Sequence, residues 1–89
     1  MTDIRTETIQ VEADNGRITM TYVLNQVPSG PLGMRYGISL CNRNTGELVT
    51  IQDITTDPEA ARALFGRLVR GSVTTVSFRE IVEDFLAAG

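Results

Sequence analysis

The side chains in this sequence that are best placed for chemistry are a tyrosine and an aspartate, Tyr36 and Asp53, on two neighbouring predicted strands. The expected strand register sets them opposite each other, on the sheet face that helices are expected to cover, with Asp53 near the edge of that face. A carboxylate there needs a partner, because an unpaired buried charge is costly, and the candidates are the Tyr36 hydroxyl and backbone N–H groups of the following turn. We therefore interpret Asp53 either as a titrating or ligand-binding group with Tyr36 beside it, or as a structural hydrogen-bond acceptor.

Other reactive groups are scarce. The chain has no His, which removes the commonest general base and metal ligand, and its eight basic residues are all Arg. Cys41 alternates with the inward-facing Leu40, so it points away from the core with no base beside it. The acids Glu80, Glu83 and Asp84 fit a solvated helix face better than a metal site. The sequence thus predicts no catalytic residue, no metal site and no cofactor.

The composition is that of a small globular domain. With 89 residues, 42% of them hydrophobic and 21% charged, the chain is expected to form one domain over residues 1–89. The net charge of −3 argues against general nucleic-acid binding, which needs basic residues against the phosphates. No apolar run approaches the roughly 18–20 residues of a membrane span, and the N-terminus lacks the pattern of a signal peptide. The single Cys41 favours a reduced, cytoplasmic setting.

Two hydrophobic patterns of period two predict a first hairpin. Residues 4–14 form the first strand and residues 17–26 the second, with Asn15-Gly16 between them, the dipeptide most typical of a type I′ turn. Pairing Asp14 with Arg17 places apolar residues opposite each other on one face. The expected pairs are Ala13 with Ile18, Val11 with Met20 and Ile9 with Tyr22.

A second hairpin is predicted after an irregular stretch at residues 27–33, which holds two prolines and two glycines that cannot continue a ladder. The third strand spans residues 34–42 and the fourth strand residues 47–54. A four-residue loop, 43–46, suits Gly46 at a left-handed position. This loop sets Leu40 opposite Val49, Ile38 opposite Ile51 and Tyr36 opposite Asp53.

Two helices are predicted to follow the strands. Asp57-Pro58 is a helix start, because Asp caps free N–H groups and Pro is favoured in the first turn. This helix runs to about Arg70, and Gly71 ends it. A capping box that begins at Ser77 places the second helix at residues 78–88. The predicted apolar faces are Ala61, Leu64, Phe65 and Leu68 on the first helix, and Phe78, Ile81, Val82, Phe85 and Leu86 on the second.

Short motifs in the second half of the chain resemble a known family. The motifs lie at residues 36–38 (Tyr-Gly-Ile), 51–55 (Ile-Gln-Asp-Ile-Thr), 76–77 (Val-Ser) and 82–86 (Val-Glu-Asp-Phe-Leu). They are similar to those of a family of short, uncharacterised bacterial proteins, a domain of unknown function found chiefly in Clostridia-like Gram-positive organisms. The resemblance covers residues 34–86. Because that family has no assigned activity, the resemblance implies no catalytic residue here.

These elements predict an α+β fold, a four-stranded antiparallel sheet followed by two helices packed on one face, in the order ββββαα. The first functional hypothesis is a cytoplasmic protein-interaction module that associates with itself. Its contact would be an edge at the first or fourth strand, or the polar sheet face around Val23 and Cys41. The second hypothesis is a small-molecule-binding or regulatory domain with a pocket between sheet and helices. A hydrolase or transferase is disfavoured, because no base–nucleophile pair is present.

The expected partner is therefore another protein or a second copy of the chain, in a homodimer. Neither nucleic acid nor a membrane is expected as a partner. If the chain instead takes a small molecule, Tyr36 and Asp53 are the residues predicted to bind it.

Overall fold

The chain folds into two layers, a four-stranded antiparallel sheet and two helices that cover one face of it, as the sequence predicts. The structure is a computed structural model that describes residues 2–14, 16–31 and 33–88. The strands lie in the order β1-β2-β3-β4, so strands that follow each other in the chain are paired. The elements are β1 (Thr2–Ala13), β2 (Gly16–Ser29), β3 (Gly33–Asn42), β4 (Leu48–Thr55), α1 (Pro58–Arg70) and α2 (Thr75–Ala88).

The core lies between the helices and the inner sheet face, meaning the face that the helices cover. Alternate residues of β2 and β3 are buried there, and the helices pack mainly on β2, β3 and β4. This period of two residues is typical of an antiparallel sheet with one covered face. The buried apolar residues are Met20, Tyr22, Leu24, Tyr36, Ile38, Leu40, Ile54, Ala61, Leu64, Phe65, Leu68, Phe78 and Val82.

The first helix forms where the sequence predicts it. Asp57 precedes the helix, and its carboxylate accepts a hydrogen bond from the Glu59 N–H at 2.9 Å, which satisfies one free donor of the first turn. Every residue of the predicted apolar stripe is buried. At the other end Gly71 caps the helix at φ −82°, and the left-handed residue that completes the turn is Ser72, at φ 51°.

The second helix begins at Thr75, earlier than predicted. The expected capping box is wrong, because Ser77 already lies in the first turn. The N–H groups of Ser77 and Phe78 donate to the Thr74 carbonyl at 3.2 and 3.1 Å. The Thr75 hydroxyl donates to the Glu47 carboxylate in the loop between β3 and β4. The first residue of α2 is thus linked to the sheet layer by a contact that is distant in the sequence.

The first hairpin keeps the predicted faces but not the predicted register. Ala13 pairs with Gly16, which stands at φ 123°, whereas the sequence analysis expects Asp14 to pair with Arg17. Asn15, the other residue of the predicted turn, lies outside the described residues. Because alternate residues share a face, a slide of two residues leaves every apolar side chain on the inner face. Hydrophobic alternation therefore cannot distinguish the two registers.

Polar pairs distinguish the observed register from the predicted one. These pairs lie on the outer sheet face, meaning the face turned away from the helices. In the observed register Arg17 lies opposite Glu12, and its Nε reaches the carboxylate at 2.9 Å. Thr8 lies opposite Thr21, with 3.2 Å between the hydroxyl oxygens. On the inner face the pairs are Val11 with Ile18, Ile9 with Met20 and Glu7 with Tyr22.

The strands β2 and β3 continue through residues that the sequence analysis assigns to an irregular stretch. β2 runs to Ser29, with Pro28 opposite Met34 in β3. The proline is tolerated because β1 pairs only as far as Gln26, so this end of β2 has a neighbour on one side. Most of the expected loop at residues 27–33 is therefore paired strand.

The second hairpin follows the predicted register near its loop and departs from it further away. Ile38 pairs with Ile51, as predicted. Beyond that pair the register shifts, and Tyr36 pairs with Thr55. The shift is caused by extra residues in β4, and residues 52–54 are named here the β4 bulge. A bulge of this kind bends its strand and changes which face each side chain takes.

Tyr22 joins the two layers. Its side chain is fully buried, and its hydroxyl donates a hydrogen bond at 2.7 Å to the carbonyl of Val73, in the connection between α1 and α2. Burial raises the pKa of the Tyr22 hydroxyl above its ordinary value, because the interior disfavours the charged form. The neutral tyrosine is thus the form that the fold stabilises.

We expect Tyr22→Phe to lower the free energy of unfolding by about 1–2 kcal/mol, because the Val73 carbonyl loses its donor while the ring stays in place. The raised pKa also makes stability depend on pH. The unfolded chain ionises first, so stability is lost as the pH rises above about 10. Urea unfolding at about pH 8 and about pH 11 measures both effects. If the phenylalanine variant loses as much stability between about pH 8 and about pH 11 as the wild type does, the hydroxyl does not have this role.

Candidate functional site

Tyr36, the first of the two predicted site residues, lies in the core. It is 8% exposed on the inner face of β3 and belongs to the buried apolar cluster beneath the helices. Its backbone partner in β4 is Thr55 and not Asp53. The structure thus gives Tyr36 a packing role, and a binding role for it stays a prediction.

Asp53 lies in the β4 bulge, and the prediction that its carboxylate is covered opposite Tyr36 is wrong. Its side chain is 57% exposed, and its backbone is left-handed, at φ 58°. Arg35 donates from Nη1 to the Asp53 carboxylate at 3.1 Å and from Nε to the Ser29 hydroxyl at 2.7 Å. The physical reason is the bulge, because it breaks the alternation on which the prediction rests, and Asp tolerates a left-handed backbone better than most residues.

Tyr36 and Asp53 therefore do not form one site. Adjacent residues of a strand point to opposite faces, so Arg35 and Tyr36 are turned away from each other. Asp53 is bound to Arg35 and lies on that outer side, whereas Tyr36 points into the core. The sequence analysis missed Arg35 as the partner, although its position directly before Tyr36 in the third strand placed it on the outer face.

The strand β4 approaches the backbone of β3 closely at Gly37, just before the β4 bulge. A Cβ atom there would stand 2.9 Å from the Ile51 carbonyl oxygen and 2.9 Å from Asn25 Oδ1, so only glycine fits without a shift. Asn25, which pairs with Gly37 from β2, is 1% exposed. Among the described residues its side-chain amide has no hydrogen-bond partner. A mid-strand glycine often marks a bulge or a close approach, and it was the sequence signal for this feature.

Clefts open on the helical side of the molecule. One of about 610 Å³ lies where the end of α1 meets α2. Arg67 and Asp84 bring opposite charges to it, and Ile81 and Phe85 contribute apolar surface. Smaller clefts, of about 360 and 200 Å³, lie between the sheet and the helices, where the sequence analysis expects a pocket.

The strand β1 forms one edge of the sheet and carries two opposite charges on its inner face. Arg5 and Glu7 share that face with Ile9 and Val11, which pack against the core. Arg5 Nη2 lies 3.5 Å from the Glu7 carboxylate, and the guanidinium carbon lies 5.7 Å from the centre of the Phe65 ring in α1. Both charged side chains remain partly exposed, at 56% and 42%. This end of β1 therefore presents two opposite charges at a free strand edge.

Neither a metal site nor a membrane-spanning helix is present in the part of the chain that the structure describes. In residues 2–14, 16–31 and 33–88, no three His, Cys, Asp or Glu side chains lie together as metal ligands would. Over the same ranges no helix has the length and apolar character needed to cross a membrane. Cys41 is a partly buried free thiol.

Comparison with known proteins extends the resemblance noted in the sequence. The sequence profile of a family of unknown function, DUF6514, matches residues 2–88. The chain belongs to this family. The match includes the first hairpin as well as the region 34–86 that carries the motifs. No curated protein and no solved structure matches the chain significantly. Membership of DUF6514 brings no assigned activity with it.

In this DUF6514 chain we expect Asp53→Gly to be more stable than Asp53→Ala by about 1 kcal/mol, because glycine adopts a left-handed backbone without a Cβ penalty. Both variants lose the contact with Arg35, which as an exposed ion pair contributes at most about 1 kcal/mol. Urea unfolding midpoints compare the two variants directly. In a regular strand the alanine variant would be the more stable of the two. That result would contradict a left-handed backbone at residue 53.

Proposed function

We propose that this DUF6514 protein is a non-enzymatic interaction module that associates with a second copy of itself through the free edge of β1. The observation that carries the proposal is that β1, a strand of 12 residues, has a neighbouring strand on one side only. A strand edge presents unpaired N–H and C=O groups, to which another strand can add. Two-fold dimers are the commonest closed assemblies, and they need one self-complementary surface.

The two edges of the sheet differ in how readily a strand can add to them. The other edge, β4, has 8 residues and is interrupted by the β4 bulge, with Asp53 at φ 58°. A bulge breaks the ladder that an incoming strand would extend. In β1 the pairing with β2 is regular from Arg5 to Ala13, and this segment contains no proline and no lysine. These features favour β1 as the contact.

Charge and residue types support an interaction role over nucleic-acid binding or catalysis. The net charge of −3 is unfavourable for contact with phosphates. The chain has neither His nor Lys, which removes two of the common general bases. Cys41 is a free thiol, which fits a reducing compartment, and we extend the proposal to a cytoplasmic setting.

Small-molecule binding is a second candidate, because the cleft of about 610 Å³ lies within the range usual for ligand sites. Arg67 and Asp84 beside Ile81 and Phe85 would suit an apolar molecule that carries a carboxylate or an ammonium group. A rise in melting temperature on adding such a compound, at an unchanged fraction of dimer, would favour this candidate over self-association.

We expect light scattering after size exclusion to give a monomer mass at about 1 µM and a dimer mass approaching about 1 mM, because association follows mass action. Thr8→Pro should abolish the dimer, since proline lacks the N–H that a strand ladder uses. Cys41→Ser, a change on the outer face away from the β1 edge, should retain it. A monomer mass at both concentrations would contradict the proposal.

Thr50→Pro is the matched control for Thr8→Pro on the other edge. Both threonines are exposed on the outer face, and both hydroxyls contact a residue of the adjacent strand, at 3.2 Å for Thr8 and 2.9 Å for Thr50. Circular dichroism establishes that each variant is folded. A folded Thr8→Pro protein that still dimerises, beside a Thr50→Pro protein that does not, would move the contact to β4.

A further inference from the structure

Arg5 and Glu7 make the β1 edge selective. Both side chains lie on the inner face, where a charge on an edge strand discourages addition, because an incoming strand would displace water from it. Here the two charges are opposite in sign and lie two residues apart on the same face. An added strand is therefore accommodated when it offers an acid to Arg5 and a base to Glu7.

A second copy of the chain offers that arrangement in one register. When two identical strands pair antiparallel about a two-fold axis, residues at equal distances from the axis face each other. With Thr6 on the axis, Arg5 of each copy lies opposite the partner's Glu7. We infer that the protein dimerises in this register, an inference that rests on the proposed association through β1.

Neighbouring registers lack this complementarity. With Arg5 or Glu7 on the axis, like charges face each other, which is destabilising. With Thr8 on the axis, Arg5 faces the partner's Val11 and Glu7 faces the partner's Ile9, so each charge lies against an apolar side chain. Side chains directly opposite across a pair have Cβ atoms about 5 Å apart, whereas alternate residues of one strand are about 7 Å apart. The inferred register therefore gives each Arg5 a second opposite charge directly across the pair, in addition to the Glu7 of its own chain at 3.5 Å.

The same register implies a short interface that depends on charge. The pairing of β1 with β2 is irregular between Asp3 and Arg5, so the strand departs from a regular ladder just before Arg5. Pairing centred on Thr6 therefore has few regular positions. We expect added salt to weaken the dimer, because salt screens exposed charges.

The variants Arg5→Glu and Glu7→Arg test the charge pairing. Each variant alone places like charges opposite each other, and we expect the dissociation constant of its homodimer to rise by about tenfold or more. An equimolar mixture should restore dimers, because each variant supplies the charges that the other lacks. Both side chains are partly exposed, and circular dichroism checks that the variants fold. Analytical ultracentrifugation that finds the mixture no more dimeric than its components would overturn the inference.

Cross-linking tests the position of the axis. Thr6→Cys and Thr8→Cys, each combined with Cys41→Ser, place a single thiol on an exposed position of β1. A disulfide needs Cα atoms within about 7 Å, which the inferred axis provides at residue 6 but not at residue 8. Mild oxidation should therefore link Thr6→Cys chains and leave Thr8→Cys chains unlinked.

The outcomes separate the register from the association itself. Linkage of Thr8→Cys chains but not of Thr6→Cys chains would overturn the register, while association through β1 would stand. The proposed function would be wrong as well if neither cysteine variant links and the wild-type protein stays monomeric at about 1 mM. At that concentration even a dimer with a Kd of about 1 mM is populated.

Discussion

The hydrogen bond from the Tyr22 hydroxyl to the Val73 carbonyl links the two layers of the molecule across their shared core. Tyr22 stands in β2, an inner strand, and Val73 stands in the connection between the helices, so one bond ties the end of α1 to the sheet. Ser72, left-handed at φ 51°, closes the turn immediately before it. The turn is followed closely by α2, which starts at Thr75 and includes Ser77 in its first turn.

How far the sequence predicts the fold depends on whether a local pattern or a distant contact decides each feature. The helix α1 was predictable because its signals are local, with Asp57 capping the first turn. The start of α2 was not, because the Thr75 hydroxyl contacts Glu47, which is remote in the sequence. In the first hairpin, alternation of period two determines the faces but leaves slides of two residues open. The observed register places Glu12 opposite Arg17, and the two form an ion pair at 2.9 Å.

The candidate site was less predictable than the fold because it depends on a bulge. Counting by twos along β4 places Asp53 on the inner face, but the register shift between Ile51 and Thr55 invalidates that count. The Asn25–Gly37 pair shows the same effect, since the asparagine belongs to the outer face and is nevertheless buried beside the bulge. The mid-strand glycine signals that some backbone approaches closely. It does not say which strand bulges, and that depends on the three-dimensional pairing.

The sheet protects its two edges by different physical means, and the difference bears on function. At β4 the bulge around the left-handed Asp53 interrupts the backbone, so the protection acts against every incoming strand. At β1 the backbone is regular from Arg5 onwards, and the protection comes from the charges of Arg5 and Glu7. Such protection acts only against strands that cannot neutralise those charges, which is a condition for specificity. An identical chain can supply the opposite charges, because two-fold symmetry places the Arg of each copy opposite the Glu of the other when the two residues are two positions apart. If the chain associates through β1 as proposed, reciprocal charges on that edge make a second copy of the chain a better partner than an unrelated strand.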